Sequence, residues 1–343
     1  MRYALTGDLH FGVRDSDQKF QESQFKFLKN TVNYCRDNEI ENLFILGDLF
    51  DTRHTLNVLT LNRVIDFFKN YIPNCLTVWV LLGNHDLYYK NTIDINSLIT
   101  LRGIKNMKII DKPTLLDDTL MVPWVTDYEQ FRQEVETIEA KRIFGHFDVI
   151  GAKMNNFQVA QNGFQKEELF SCWQYVYSGH YHHHSETLVG NNRLVYIGSP
   201  YQLSRAEIEE KGFYILDTKT EALEFVKNEA CIEYRKLHYP DLPDDLESFV
   251  KGHIIDVEVS WEDSKYMNKV NTYLEKIEAA GPAYPVNAIY QRRTEKASTE
   301  KIDASKITLL SLGKRYIDES DDIKEKSKVF DAFKTLYSRF SPQ

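Results

Sequence analysis

The chain has 343 residues, 42% hydrophobic and 27% charged, which suits two folded domains, or one large domain with an appendage, and excludes a mainly disordered, collagen-like or disulfide-framework protein. Its 42 basic and 51 acidic residues leave a net charge of −9. It is therefore no general polyanion binder, and contact with nucleic acid needs a locally positive surface, bound metal or a basic partner.

Residues 3–6 read as an apolar strand ending in the loop Gly7-Asp-Leu-His-Phe-Gly12. The opening residues reach Asp8 too early for a signal peptide. Phe25, Leu28, Val32 and Cys35 recur at helical spacing within residues 20–35. Residues 43–46 make a second strand, again followed by Gly-Asp, and residues 58–68 a helix. Residues 76–82 make a third strand, followed by Gly83-Asn-His-Asp86. The longest apolar run, 77–82, falls far short of the roughly 20 residues of a membrane-spanning helix, so no membrane association is expected. This βαβαβ rhythm predicts a sheet with parallel strands and helices on its faces, whose ligands bind beyond the carboxyl ends of the strands. All three polar clusters fall there.

Short strands are predicted at 107–110, 119–122, 142–144, 175–177, 186–189 and 194–197, with a charged amphipathic helix over 127–140. The expectation is a two-sheet α/β sandwich over residues 1–212. Residues 213–216 and 222–226 then predict a hairpin, 232–237 a further strand, and 240–243 a linker. Strand 253–259, helix 265–279 and strand 285–290 form a small α/β unit, so a second domain is placed at 213–293. In the remaining segment, 294–343, residues 294–306 are polar, while Val329, Phe333, Leu336, Tyr337 and Phe340 make one apolar stripe at helical spacing. Cys35, Cys75, Cys172 and Cys231 lie far apart and read as free thiols in a reducing, cytoplasmic setting.

Five clusters carry ligand atoms: Asp8-x-His10, Gly47-Asp48, Gly83-Asn-His-Asp86, Gly145-His146 and Gly179-His-Tyr-His182. Each alone is an ordinary turn or a structural histidine; together, at strand ends, they are hard to assign to chance. Carboxylate oxygen with imidazole nitrogen suits Mn²⁺, Fe²⁺ or Zn²⁺, and the absence of cysteine disfavours a thiolate zinc site. The donors are too many for one ion and suit two. Strand alternation puts His180 and His182 on one face, with Tyr181 and His183 turned away, and groups Asp8 with His10 if their loop stays extended.

In this order the motifs resemble the D-x-H, G-D, G-N-H-[DE], G-H and G-H-x-H series of the calcineurin-like binuclear metallophosphoesterases. The resemblance implies a two-sheet αββα sandwich, a small C-terminal α/β capping domain and terminal helices. It further implies that Asp8, His10 and His182 hold one metal, that Asn84, His146 and His180 hold the other, and that Asp48 bridges them. Two divalent ions are expected, with Mn²⁺ favoured and Mg²⁺ or others as alternatives. Counted with Asp8, Asp48 and a bridging hydroxide, they leave the site positive enough to attract a phosphodiester. His85 then faces the substrate, stabilising the transition state or protonating the leaving oxygen, and Asp86 orients it.

Gly47-Asp-Leu-Phe-Asp-Thr-Arg53 and Gly83-Asn-His-Asp86 are similar to DNA-repair nucleases rather than to Ser/Thr phosphatases. Tyr196-Ile-Gly-Ser-Pro-Tyr-Gln-Leu-Ser204, Glu207 and Lys211-Gly-Phe213 resemble a stretch of SbcD-type nuclease subunits. With the domain that follows, they also resemble the small subunits of T-even-like phage recombination endonucleases. No metal chemistry requires that stretch. The resemblance implies 3′→5′ exonuclease activity on duplex ends and endonuclease activity on single strands, in repair or recombination, in a bacterial or phage-infected cytoplasm. Implied partners are DNA, a second copy in a homodimer, and an SbcC-like ABC-type coiled-coil ATPase docked on the C-terminal helices. This chain has no Walker A of its own. Asp51 stands where archaeal and eukaryotic relatives carry a histidine, and His54 reads as a solvated loop residue. Arg14, Lys19, Arg53, Lys90 and Lys153 sit on loops that could ring the site and meet DNA phosphates. Two other readings stay open: a phosphodiesterase for small nucleotides, and a silent scaffold for the ATPase, against which the intact ligand set argues.

Overall fold

The computed structural model describes residues 1–135, 137–154, 158–291, 313–314, 316–318 and 325–340. The chain begins β1 (Arg2–Thr6), α1 (Gln18–Asp37), β2 (Asn42–Ile45), α2 (Val58–Asn70), β3 (Thr77–Leu81) and β4 (Met107–Ile110). Next come β5 (Thr114–Leu116), β6 (Thr119–Met121), α3 (Tyr128–Val135), β7 (Arg142–His146), α4 (Lys166–Cys172), β8 (Tyr175–Gly179), β9 (Ser185–Val189) and β10 (Asn192–Tyr196). β11 (Gly212–Asp217), β12 (Leu223–Lys227), β13 (Tyr234–His238), α5 (Leu246–Val250), β14 (Ile254–Val259), α6 (Met267–Ala279) and β15 (Asn287–Tyr290) follow, and α7 (Lys326–Phe340) ends the series.

Two six-stranded sheets form, in the orders β12-β11-β1-β2-β3-β4 and β5-β6-β7-β8-β10-β9. Alternation along the strands builds three layers of core. Tyr3, Leu5, Phe44 and Leu46 from the first sheet meet Phe144, Tyr177 and Val195 from the second. Ala4, Leu43, Ile45 and Val78, on the other face of the first sheet, pack with Leu28 and Val32 of α1 and Val64 and Phe68 of α2. Ile143, Val176 and Leu194, on the outer face of the second, pack with Phe131 of α3 and Leu169 of α4. This is the expected αββα sandwich. Local chemistry starts its helices: the Asp17 carboxylate accepts from Phe20 N–H, and Asn57 Oδ1 from Leu59 and Thr60 N–H. α3 is shorter than the predicted 127–140, and α4 and β5 were not predicted. At 7 and 3 residues, they are too short to show a periodicity.

The boundary expected at residue 212 shifts. β11 pairs antiparallel with β1, and β12 with β11, so the hairpin placed at the start of the second domain completes the first sheet. The small unit is the parallel sheet β13-β14-β15, packed with α6 through Val257, Val259, Val270 and Ile277. Ile254 and Ala283 join it to the first core.

The chain divides into two compact units, Met1–Gln291 and Arg292–Gln343. In the second, Lys326 Nζ donates to Asp318 O, and the Phe330 and Phe333 rings lie 6.5 Å apart. The polar stretch 294–306 lies outside the described residues, as do the side chains of Leu336, Tyr337 and Phe340 from the predicted stripe. Among the described residues, no helix is long and apolar enough to cross a membrane.

Arg142, fully buried on β7, stitches the sheets together. It donates to both Glu221 oxygens, to Thr218 O in the β11–β12 turn, and to Thr119 Oγ1 and Asp118 beside β6. Arg142→Ala leaves the Glu221 carboxylate buried without this partner, so a loss of ~3–5 kcal/mol is expected. Urea unfolding measures it, and a loss under ~1 kcal/mol would remove the network from the account of stability.

Candidate metal centre

The five ligand-bearing clusters lie together because the strands ahead of them are neighbours. β1, β2 and β3 are adjacent in the first sheet, and β7 and β8 in the second. Asp8, Asp48 and Asn84 leave the carboxyl ends of the first three; His146 ends β7, and His180 follows β8.

The loops are not extended. Asp8 (φ 53°), His10 (φ 44°), Asp48 (φ 50°) and His180 (φ 92°) all adopt left-handed backbone, which costs non-glycine residues about 1–3 kcal/mol each. Neither expected use of strand alternation applies, because β8 ends at Gly179 and the Asp8 loop curls. Turned backbone, not period two, aims these side chains. Hydrogen bonds hold the turns: Asp8 N–H donates to Gly47 O, and His10 N–H to Asp48 O. Gln24 Nε2 donates to Leu9 O and His10 O, and Tyr201 OH also donates to Leu9 O. Gly47 has φ 92°, and a Cβ there would run into the His146 ring; one at Gly83 would strike Asp48.

Donor atoms of Asp8, His10 and His182 lie within 4.8 Å of one another, as do those of Asp48, His146 and His180. Asn84 Oδ1 is 3.0 Å from both His146 Nε2 and His180 Nδ1. Asp48 Oδ2 stands between the groups, 3.2 Å from His146 Nε2 and 3.7 Å from His10 Nε2. His10 Nε2 and His182 Nε2 face each other at 3.1 Å.

The outer nitrogen of each imidazole has an oxygen beside it, in a hydrogen bond for two of the four. His146 Nδ1 donates to Leu46 O at 2.6 Å, and His180 Nε2 to Asp148 Oδ1 at 2.9 Å. His10 Nδ1 lies 3.2 Å from Asp51 Oδ1, and His182 Nδ1 3.5 Å from Glu207 Oε1. A proton held on the outer nitrogen leaves the inner one with a lone pair for a cation.

Burial opposes charge on these rings, yet Asp51, Asp48 and Asp8 raise His10, and Asp48 and Asp8 raise His146 to about 9. Burial likewise opposes charge on Asp48, but His146, His10 and His85 hold it well below the usual carboxylate range. The field at the centre calls for positive charge, and this donor set fits divalent cations.

Asp148 was missed by sequence reasoning, although its place two residues after His146 is a usable signal. The stretch from Tyr196 to Phe213, for which metal chemistry offered no reason, has one here. Lys211 Nζ donates to His182 O at 2.7 Å and pairs with Glu207 at 2.8 Å, while Ser199 N–H donates to His182 O. Burial opposes charge on Glu207, but His182 and Lys211 lower it to about 2. The motif is the frame of His182.

Asp86 is placed differently from the expectation. Its carboxylate accepts from Gly83, Leu49 and Phe50 N–H and from Ser97 Oγ, tying the β2 and β3 loops together. His85 is held instead by Asp51, whose carbonyl is 2.5 Å from Nδ1. His85 lines a cavity of about 310 Å³ with Asp48, His180 and His182. His183 turns to Glu209 at 3.2 Å, and His54 stacks edge to face on Tyr88. Of the expected DNA contacts, Arg14 donates to Tyr234 OH and lies over the Phe20 ring, and Lys19 donates to Ala283 O. Both join the capping unit to the sandwich. Lys90 and Lys153 are exposed, and Arg53 is partly so.

Carboxylate and imidazole donors gathered at the strand ends of an αββα sandwich define a metal-dependent phosphoester hydrolase. The chain belongs to the calcineurin-like phosphoesterase family, whose model matches residues 1–198. Exonuclease subunit 1 of Enterobacteria phage T4 is 28% identical over 290 residues, which cover 81% of this chain and 82% of that protein. The SbcD subunit of nuclease SbcCD from Staphylococcus epidermidis is 22% identical over 259 residues, 65% of this chain and 67% of that protein. Putative phosphoesterase 078R of Invertebrate iridescent virus 3 is 27% identical over 192 residues, 51% of each.

Asp148→Asn removes the carboxylate that orients His180. Metal affinity should fall ~10–100-fold with the fold retained. Metal titration followed by circular dichroism checks this; unchanged affinity would make the contact incidental.

Proposed function

We propose that the chain is a metal-dependent DNA nuclease, the nuclease subunit of an ATPase–nuclease complex in repair or recombination. The observation that carries the reading is the set of four imidazoles, two hydrogen-bonded at the outer nitrogen and two with a carboxylate beside it, with Asp48 Oδ2 near the inner nitrogens of His146 and His10. In this reading Asp8, His10 and His182 hold one ion, Asn84, His146 and His180 the other, and Asp48 contacts both. Divalent ions there, Mn²⁺ first among them, supply Lewis acidity toward a phosphoryl oxygen and a nucleophile from water at neutral pH.

The protein's own groups do the rest. Asp8 and Asp48 draw in cations, without which the carboxylates would repel a phosphodiester. His85, with Nδ1–H committed to Asp51 O, meets the substrate through Nε2 and serves the leaving oxygen. Asp86 is a positioning residue that holds the loops bearing Asp48 and His85. Trp124, with its ring 5.1 Å from His180 and 5.8 Å from His146, walls the second group.

DNA is favoured over small nucleotides because two relatives are named as an exonuclease subunit and a nuclease subunit. Their being subunits supports a partner, which we take to be an SbcC-like ATPase. The homodimer rests on the motif resemblance alone. The silent-scaffold reading has no support in a centre whose donors are all in place.

With Mn²⁺, digestion of end-labelled duplex and single-stranded DNA is expected, faster with the ATPase present. Hydrolysis of cyclic nucleotides with DNA left intact would favour the other enzyme reading. His85→Ala should lower turnover by ~10²–10⁴-fold and keep about two metals per chain. Loss of metal there would make His85 a ligand. Asp48→Asn should lose at least one ion by elemental analysis, and full loading with full activity would remove its bridging role.

A further inference from the structure

Tyr88 and Tyr89 stand three and four residues after His85, in the loop beyond β3. Their side chains are open to solvent, at 40% and 50% exposure. The two rings meet edge to face at 4.7 Å, and Tyr88 meets His54 in the same way at 4.9 Å. His54 belongs to the loop beyond β2, three residues after Asp51, whose carbonyl holds His85. Two loops that supply the centre thus bring three rings together, within a few residues of His85 and Asp51 in sequence. The arrangement is braced: Tyr88 N–H donates to Ile95 O at 3.0 Å, and Leu87 bridges to Asn96.

The flanks are basic. Arg53 precedes His54, Lys90 follows Tyr89, and neither has an ion-pair or hydrogen-bond partner among the described residues. Solvent-exposed tyrosine rings with a cationic residue next in sequence on each loop match one chemistry well. A nucleotide strand offers a flat base to the ring and a phosphate to the cation on either side.

We propose that Tyr88 and Tyr89 form a stacking platform for an unpaired base of the strand being cut, with Arg53 and Lys90 on the flanking phosphates. The inference rests on the nuclease reading and gives its substrate a form: a single strand, or a duplex end frayed by at least one base. Every base has a π face, so the grip is indifferent to sequence.

The test uses the full chain with His85→Ala, loaded with Mn²⁺ to bind without cutting. Fluorescence anisotropy compares a short labelled single strand with an abasic strand of the same length. Tyr88→Ala and Tyr89→Ala should each weaken the base-bearing strand about tenfold and leave the abasic strand unchanged. Tyr89→Trp should restore binding, while Arg53→Gln and Lys90→Gln weaken both strands alike. Equal losses on both strands, or no loss, would overturn the platform while the nuclease reading stands. Binding of neither strand by the parent would sink that reading and the platform together.

Discussion

Each imidazole of the centre has a backbone carbonyl or a carboxylate beside its outer nitrogen, hydrogen-bonded at His146 and His180 and an ion-pair neighbour at His10 and His182. Leu46 O and Asp148 accept from the outer nitrogens of His146 and His180, and Asp51 and Glu207 lie 3.2 and 3.5 Å from those of His10 and His182. Without those partners, neutral rings would exchange tautomers and turn away from one another. With them, the rings keep their orientation and the inner nitrogens point at shared positions, where a cation displaces any proton they carry. His85, held separately by Asp51 O, lines a cavity with Asp48, His180 and His182.

The constraint needs a rigid surround, and the fold supplies it at some expense to itself. Four candidate ligands adopt left-handed backbone that a free chain would avoid. What keeps them there is the sandwich: buried strands before the loops, Gln24 and Tyr201 under the Asp8 loop, and Asp86 between the β2 and β3 loops. Strain gathered at one place and offset by packing elsewhere is a mark of a working site.

Glu207 and Lys211 extend the same logic outward. They do not line up as catalytic groups, yet they fix both the ring and the carbonyl of His182. A sequence stretch with no donor to offer a metal thus acquires a role through support of His182, a candidate ligand. Asp86 makes the converse point: a carboxylate next to His85 in sequence spends its oxygens on backbone amides instead.

Much was legible in the sequence. Apolar runs alternating with amphipathic stretches determined the strands and helices, because burial on one or two faces leaves a period of its own. Residue type at strand ends determined the donor set, because Asp, Asn and His carry the atoms that divalent cations bind. Only the tertiary structure decided how those donors face one another. His180 and His182 are aimed by a left-handed turn, Asp148 reaches His180 across 32 residues of chain, and Asp51 O holds His85 across 34. It also decided that the hairpin after residue 212 belongs to the first sheet, through pairing with β1 two hundred residues away in sequence. Periodicity reports what is local to a segment. Backbone turns and hydrogen bonds between distant segments depend on which strands become neighbours, and that is settled only when the sheets close on their common core.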